Sequence, residues 1–163
     1  GQTAPGFGYR GLNSPLTFYD CSRGGTLSTR YHANYCDIWP KHFAKLNTAC
    51  HAAGCLAEDM RPLHRAELQV FAEGVADIMR RDPSPTKRLR GYKAEAALRS
   101  PWLRALLERM KIEGCYSAYY LPCRWRNVGL VCRVANARLA DSPLYGKLDW
   151  AGYYLLLGRM RRD

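Results

Sequence analysis

The sequence predicts a mainly α fold: a small helical domain over residues 36–163 behind an extended, irregular arm over 1–35, with room for one short β-hairpin near 116–134. Three observations predict it. Apolar side chains recur at three- and four-residue spacing through residues 40–54, 62–81 and 101–113. Helix-starting and helix-stopping residues fall at the joins, among them Pro40, Gly54, Pro62, Ser100-Pro101 and Gly114. Residues 1–35, by contrast, scatter Gly, Pro and Asn among aromatic rings and hold no period.

In the arm, Tyr9, Phe18, Tyr19 and Tyr31 are separated by Pro5, Pro15 and the Gly24-Gly25 pair. Fixing each backbone residue costs about 1–2 kcal/mol, so an ordered arm of this kind draws its shape from contacts, and a neighbouring molecule is the expected source. The first helix is expected from Pro40 to Gly54, with Trp39, Phe43, Leu46 and Cys50 along one stripe. The second runs from about Pro62 to Arg81, its apolar face read as Leu63, Ala66, Val70, Phe71, Val75 and Ile78. Asp82-Pro83-Ser84-Pro85 ends it, because a residue before proline is pushed out of the α region. The basic run Lys87-Arg88-Leu89-Arg90 reads as a hinge, and helix resumes near Tyr92. Ser100-Pro101 supplies a cap and a first-turn proline for a helix that buries Leu103, Leu106, Leu107 and Met110 and stops before Gly114. Residues 116–121 and 128–134 are rich in β-formers and pair as a hairpin across Pro122–Asn127; Val128, Val131, Ala135 and Leu139 fit a helix equally. Asp141-Ser142-Pro143 opens the last helix, which ends in Arg159-Met160-Arg161-Arg162.

The chain carries 25 basic and 14 acidic side chains, a net charge of +11. Residues 1–79 hold seven of each, so the helical domain divides into a neutral half (36–79) and a basic half (80–163) that carries the whole excess. One end of the molecule is therefore expected to face something anionic: an acidic protein, RNA or anionic lipid headgroups. Apolar residues at 47% and charged residues at 24% exclude a wholly disordered chain, and no apolar run approaches the ~18–20 residues that a membrane-crossing helix needs. The chain opens Gly1-Gln2-Thr3 without an apolar signal core, so a targeting peptide is expected to be gone or never present.

Seven cysteines stand at Cys21, Cys36, Cys50, Cys55, Cys115, Cys123 and Cys132. As disulfide candidates they imply an oxidising compartment and one thiol left over; as buried reduced thiols they act as small apolar residues. A zinc site would draw on Cys50, His51, Cys55, Cys115 and Cys123, but no C-x2-C spacing occurs. Cys36 and Cys50, fourteen residues apart, share one face of a continuous helix and so resemble the twin-cysteine helical hairpins of the mitochondrial intermembrane space. That family repeats a nine-residue spacer on both helices, and no pair here has it.

Enzyme signatures fail one by one. His64-Arg65-Ala66-Glu67 with Pro122-Cys123 resembles the zinc deaminases, whose H-x-E and P-C-x-x-C spacings are not met; His64 and Glu67 read instead as a surface pair on a helix. Tyr9-Arg10-Gly11 with Ser28-Thr29-Arg30 resembles the opening of ADP-ribosyltransferases, whose closing E-x-E or Q-x-E is missing. No G-x-S-x-G, Walker loop or H-E-x-x-H occurs.

The expected function is a non-catalytic accessory subunit of a multi-subunit assembly, of the mitochondrial respiratory-chain or ATP-synthase kind. The setting is the intermembrane space if the cysteines pair and the matrix otherwise. The partner-binding candidates are Tyr9, Phe18, Tyr19, Tyr31 and Trp39 on the arm side, and Lys87, Arg88, Arg90, Arg124, Trp125 and Arg126 on the basic side, with neither catalytic residue, metal nor cofactor. Tyr119, Tyr120, Arg124, Trp125 and Arg126 interleave rings with cations and so also suit RNA, which makes an RNA-binding or ribosomal protein the first alternative. A small enzyme with a Cys/His or carboxylate site is the second.

Overall fold

The computed structural model describes residues 35–56 and 60–149, all within the unit Tyr31–Asp163. The arm anchors Tyr9, Phe18, Tyr19 and Tyr31, the arm cysteine Cys21 and the arginine-rich chain end lie outside the described residues. The described residues form helices joined by short connections, with no strand: α1 (Tyr35–Ala52), α2 (Arg61–Arg81), α3 (Lys87–Leu98), α4 (Pro101–Ile112), α5 (Tyr120–Arg124), α6 (Val128–Leu139), and a further helix, α7, described over 143–149.

α1 begins at Tyr35, five residues before the expected start, and Pro40 lies inside it. Proline there gives no N–H to the carbonyl of Cys36, one turn back. Rings at four-residue spacing offset that loss: Tyr35 and Trp39 stand 5.6 Å apart, and Trp39 and Phe43 6.0 Å. The first turn also lies close against α2. A Cβ on Gly74 would run into the Tyr35 ring and come within 3.3 Å of Cys36 Sγ, so only glycine lets the two backbones approach this closely.

α2 is the hub and packs against α1, α3, α4 and α6. Its buried face carries Leu68, Phe71, Ala72, Val75 and Ile78, against Ala94 and Leu98 of α3, Leu103, Leu106 and Met110 of α4, and Val131 and Val134 of α6. Each large side chain buried in this way stabilises the fold by about 1.5–3 kcal/mol. Phe71 meets Trp102 at 5.0 Å between ring centroids. Tyr116 and Tyr119 of the α4–α5 connection and Tyr120 at the start of α5 are fully buried, and Tyr116 meets Tyr120 edge-on at 4.7 Å.

Two further expectations are corrected. The basic run Lys87–Arg90 is the first turn of α3 rather than a hinge, because Thr86 caps it: Oγ1 accepts the Leu89 N–H at 3.2 Å. The hairpin near 116–134 is a helix–helix joint. α5 ends with Arg126 in the left-handed region (φ 53), where the Arg126 and Asn127 N–H groups donate to the carbonyls of Cys123 and Pro122. Asn127 Oδ1 then accepts the Leu130 N–H at 3.0 Å and starts α6. The same closing pattern ends α1 at Gly54 (φ 77), α4 at Gly114 (φ 62) and α6 at Asp141 (φ 48). At the end of α2, Asp82 is buried and accepts from the Ser84 N–H at 2.8 Å and from Lys93 Nζ at 2.9 Å, which ties α2 to α3.

Gly74→Ala is expected to lower stability by about 1–2 kcal/mol, since the clash with Tyr35 outweighs the gain in helix propensity. Gly91→Ala, on α3 with open space at its Cβ, is expected to raise it by about 0.5–1 kcal/mol. Urea melts of the two variants beside the parent check both signs.

Candidate functional site

Two places among the described residues bring chemistry together. The first is a basic, aromatic ledge where the end of α3, the exposed side of α4 and the end of α5 meet around a hollow of about 310 Å³. Arg99, Arg104, Arg124 and Arg126 surround it, Leu98, Leu103 and Leu107 form its apolar floor, and Trp125 stands at its rim, 63% exposed. Glu108 is the single acid of the lining and faces Arg124 at 3.3 Å. The left-handed backbone at Arg126 is what turns the chain here and leaves Trp125 projecting. Of the expected partner residues, Arg124, Trp125 and Arg126 therefore sit together, joined by Arg99 and Arg104, which the sequence reading missed. Both flank the Ser100-Pro101 joint, so the cap that starts α4 also places two cations.

Lys87, Arg88 and Arg90 are not part of this ledge. They occupy the opposite end of α3, nine to twelve residues or about 14–18 Å from Arg99 along the axis. Arg88 lies over the Tyr92 ring, 5.5 Å from its centroid, and its Nε donates to the Tyr92 hydroxyl at 3.1 Å. Trp39 is half-buried among Tyr35, His42 and Phe43 rather than projecting.

Among the cysteines, Cys36, Cys50, Cys115, Cys123 and Cys132 are free thiols. Burial pushes Cys36 and Cys123 up to about 12 and Cys115 to about 11, and it raises Cys132 as well. Thiols held so high carry almost no thiolate at neutral pH and make poor nucleophiles. Cys115 uses its S–H to donate to the Arg61 carbonyl at 3.2 Å. Cys55 follows the Gly54 turn, its N–H donating to the Cys50 carbonyl. Among the described residues no three His, Cys, Asp or Glu side chains gather as a metal site.

The second place is buried. His64 and Glu67, expected as a surface pair, are each 2% exposed. The reason is a rotation of α2: Ala66 is exposed and Leu63 and Val70 are only half-buried, so the inward face runs through His64, Glu67, Leu68, Phe71 and Val75. His64 does not pair with Glu67. Its Nδ1 lies 2.6 Å from Glu113 Oε2 and its Nε2 3.4 Å from Arg109 Nη1. The tautomer that gives every atom a partner carries the proton on Nδ1, donates it to Glu113 and accepts from Arg109 at Nε2. The two ends of this chain, Arg109 and Glu113, flank the last turn of α4, so His64 pins α4 to α2.

Glu67 Oε2 and Asn47 Oδ1 are both buried without a hydrogen-bond partner. Glu67, Asn47 and Arg109 line a groove of about 440 Å³ between α1, α2 and α4. Burial pushes the Glu67 carboxyl up to about 7, while the Asn47 side chain and the Arg109 charge pull it back. The lone carboxyl at this seam is the feature that sequence reasoning missed, because the apolar period of α2 pointed to a different face.

No protein-family model, curated protein or solved structure matches this chain. Among the described residues no helix is long and apolar enough to cross a membrane.

A carboxyl held above its unfolded value favours the folded state in acid, and that stability is lost as the pH rises through the folded value. Glu67→Gln removes the titration. Its stability advantage over the parent is expected to grow from the ordinary carboxyl value of 4.5 to about 7 and to level off above that. The plateau is on the order of 2 kcal/mol, read from urea melts across a pH series.

Proposed function

We propose that the chain is a non-catalytic accessory subunit that docks on an acidic patch of a neighbouring protein through the ledge at α4 and α5. The observation that carries this reading is the exposed Trp125 ring set among four guanidiniums beside an apolar floor. Trp and Arg are enriched where interfaces concentrate their energy, and a ring that closes over a small hollow excludes water from the charge pairs around it. Guanidinium also matches a carboxylate with two parallel hydrogen bonds, which suits an acidic protein surface. The same ring and cations suit a stacked base of RNA, and the apolar floor of Leu98, Leu103 and Leu107 favours a protein side chain over a nucleotide.

The mitochondrial setting, in a respiratory-chain or ATP-synthase assembly, is part of the proposal. Free thiols at Cys36, Cys115, Cys123 and Cys132 favour the reducing matrix side.

The test is sedimentation of the tagged full chain in native extracts of its own cells. The parent is expected in a large complex that withstands nuclease treatment, and Trp125→Ala or the double change Arg124→Glu/Arg126→Glu is expected to release it, with association weakened at least about tenfold. Release by nuclease alone would replace the protein partner with RNA. A parent chain that sediments as a monomer, or variants that remain fully bound, would overturn the reading.

A further inference from the structure

The groove between α1, α2 and α4 holds a set of groups that the docking ledge does not use. Glu67 is 2% exposed, its Oε2 has no hydrogen-bond partner, and Asn47 Oδ1, from the facing helix, has none either. Two buried acceptors lining one groove from facing helices call for a donor with more than one N–H, because each orphaned acceptor costs about 1–3 kcal/mol. Arg109 lines the same groove and lies close enough for its charge to act on Glu67. Among the described residues no ion pair joins Arg109 to Glu67: Arg109 Nη1 turns to His64, which leaves donors of its five-donor fork for an anion. Opposite charges thus stand in one groove without neutralising each other directly. The rest of the lining is Thr48 and His51 of α1 on the polar side, and Ala44, Trp102, Ala105 and Leu106 on the apolar side. At about 440 Å³ the groove falls within the size range of small-molecule sites.

We propose that this groove binds a free α-amino acid with an apolar side chain: its ammonium on Glu67 and Asn47, its carboxylate on Arg109, and its side chain against Trp102 and Leu106. An ammonium has three donors and satisfies both orphaned oxygens. A carboxylate two bonds away takes the guanidinium donors that His64 leaves over. A simple cation would be repelled by Arg109 and a simple anion by Glu67, so a zwitterion is the class of ligand that satisfies both walls. The site rests on the groove alone and stands whether or not the ledge docks on a protein.

Isothermal titration of the full chain with L-phenylalanine at about pH 8 tests it, with a dissociation constant below about 1 mM expected. N-acetyl-phenylalanine lacks the ammonium and phenylalaninamide lacks the carboxylate; each is expected to bind at least about tenfold more weakly. Glu67→Gln is expected to weaken L-phenylalanine by about tenfold or more while its urea midpoint stays at or above that of the parent. No binding of L-phenylalanine at about 10 mM, equal binding of the two blocked derivatives, or unchanged affinity in Glu67→Gln would each overturn the proposal. The derivative series uses the parent chain, so its outcome does not depend on how the variant folds.

Discussion

A helix enclosed by four others has little water to turn to, and this constraint on α2 organises the molecule. α1, α3, α4 and α6 all pack on it, so each polar group that it turns toward them must find a partner there. His64 finds Glu113 and Arg109 on α4, and Glu73 finds Arg138 on α6. Asp82, just past its end, finds Lys93 on α3. Each of these pairs fixes the rotation and height of a neighbouring helix in a way that Leu68, Phe71 and Val75 alone would not, because apolar packing tolerates sliding. Glu67 is the exception. Its neighbours on α1 and α4 leave one oxygen unmatched, and that is why the seam between them differs chemically from the others.

Much of the helical plan is legible in the sequence because it is written in local chemistry. Pro62, Ser100-Pro101 and Ser142-Pro143 begin helices, and Gly54 and Gly114 close them through the left-handed backbone that glycine adopts freely. The errors fall where the same chemistry appears without its usual residue. Arg126 and Asp141 take the closing position that glycine holds elsewhere, so the α5–α6 joint reads as a turn between strands. Pro40 reads as a first residue although three rings at four-residue spacing carry α1 back past it to Tyr35. Thr86 is a full cap, but the charges that follow it look like a solvated hinge.

The sites were legible only in part, for a different reason: composition does not say which rings and cations reach the surface. Tyr119 and Tyr120, next to Arg124 in sequence, are buried, and Tyr116 with them, whereas Trp125 projects. The charge excess of the second half was countable, but it divides between two ends of α3, and only the fold brings Arg99 and Arg104 to Arg124 and Arg126. Glu67 reads in the sequence as half of a surface pair with His64, since a glutamate three residues from a histidine on a helix is ordinary on an exposed face. Its burial follows from which side of α2 the surrounding helices occupy, and that is a property of the whole assembly of helices.

The central position of α2 has a consequence for synthesis. It leaves the ribosome before three of the helices that enclose it, and the end of α6 follows its own end by 58 residues, from Arg81 to Leu139. At about 5–20 residues per second that interval is roughly 3–12 s. During it, Leu68, Phe71 and Val75 have only α1 to shelter them, and the nascent chain passes through a window in which premature association competes with closure.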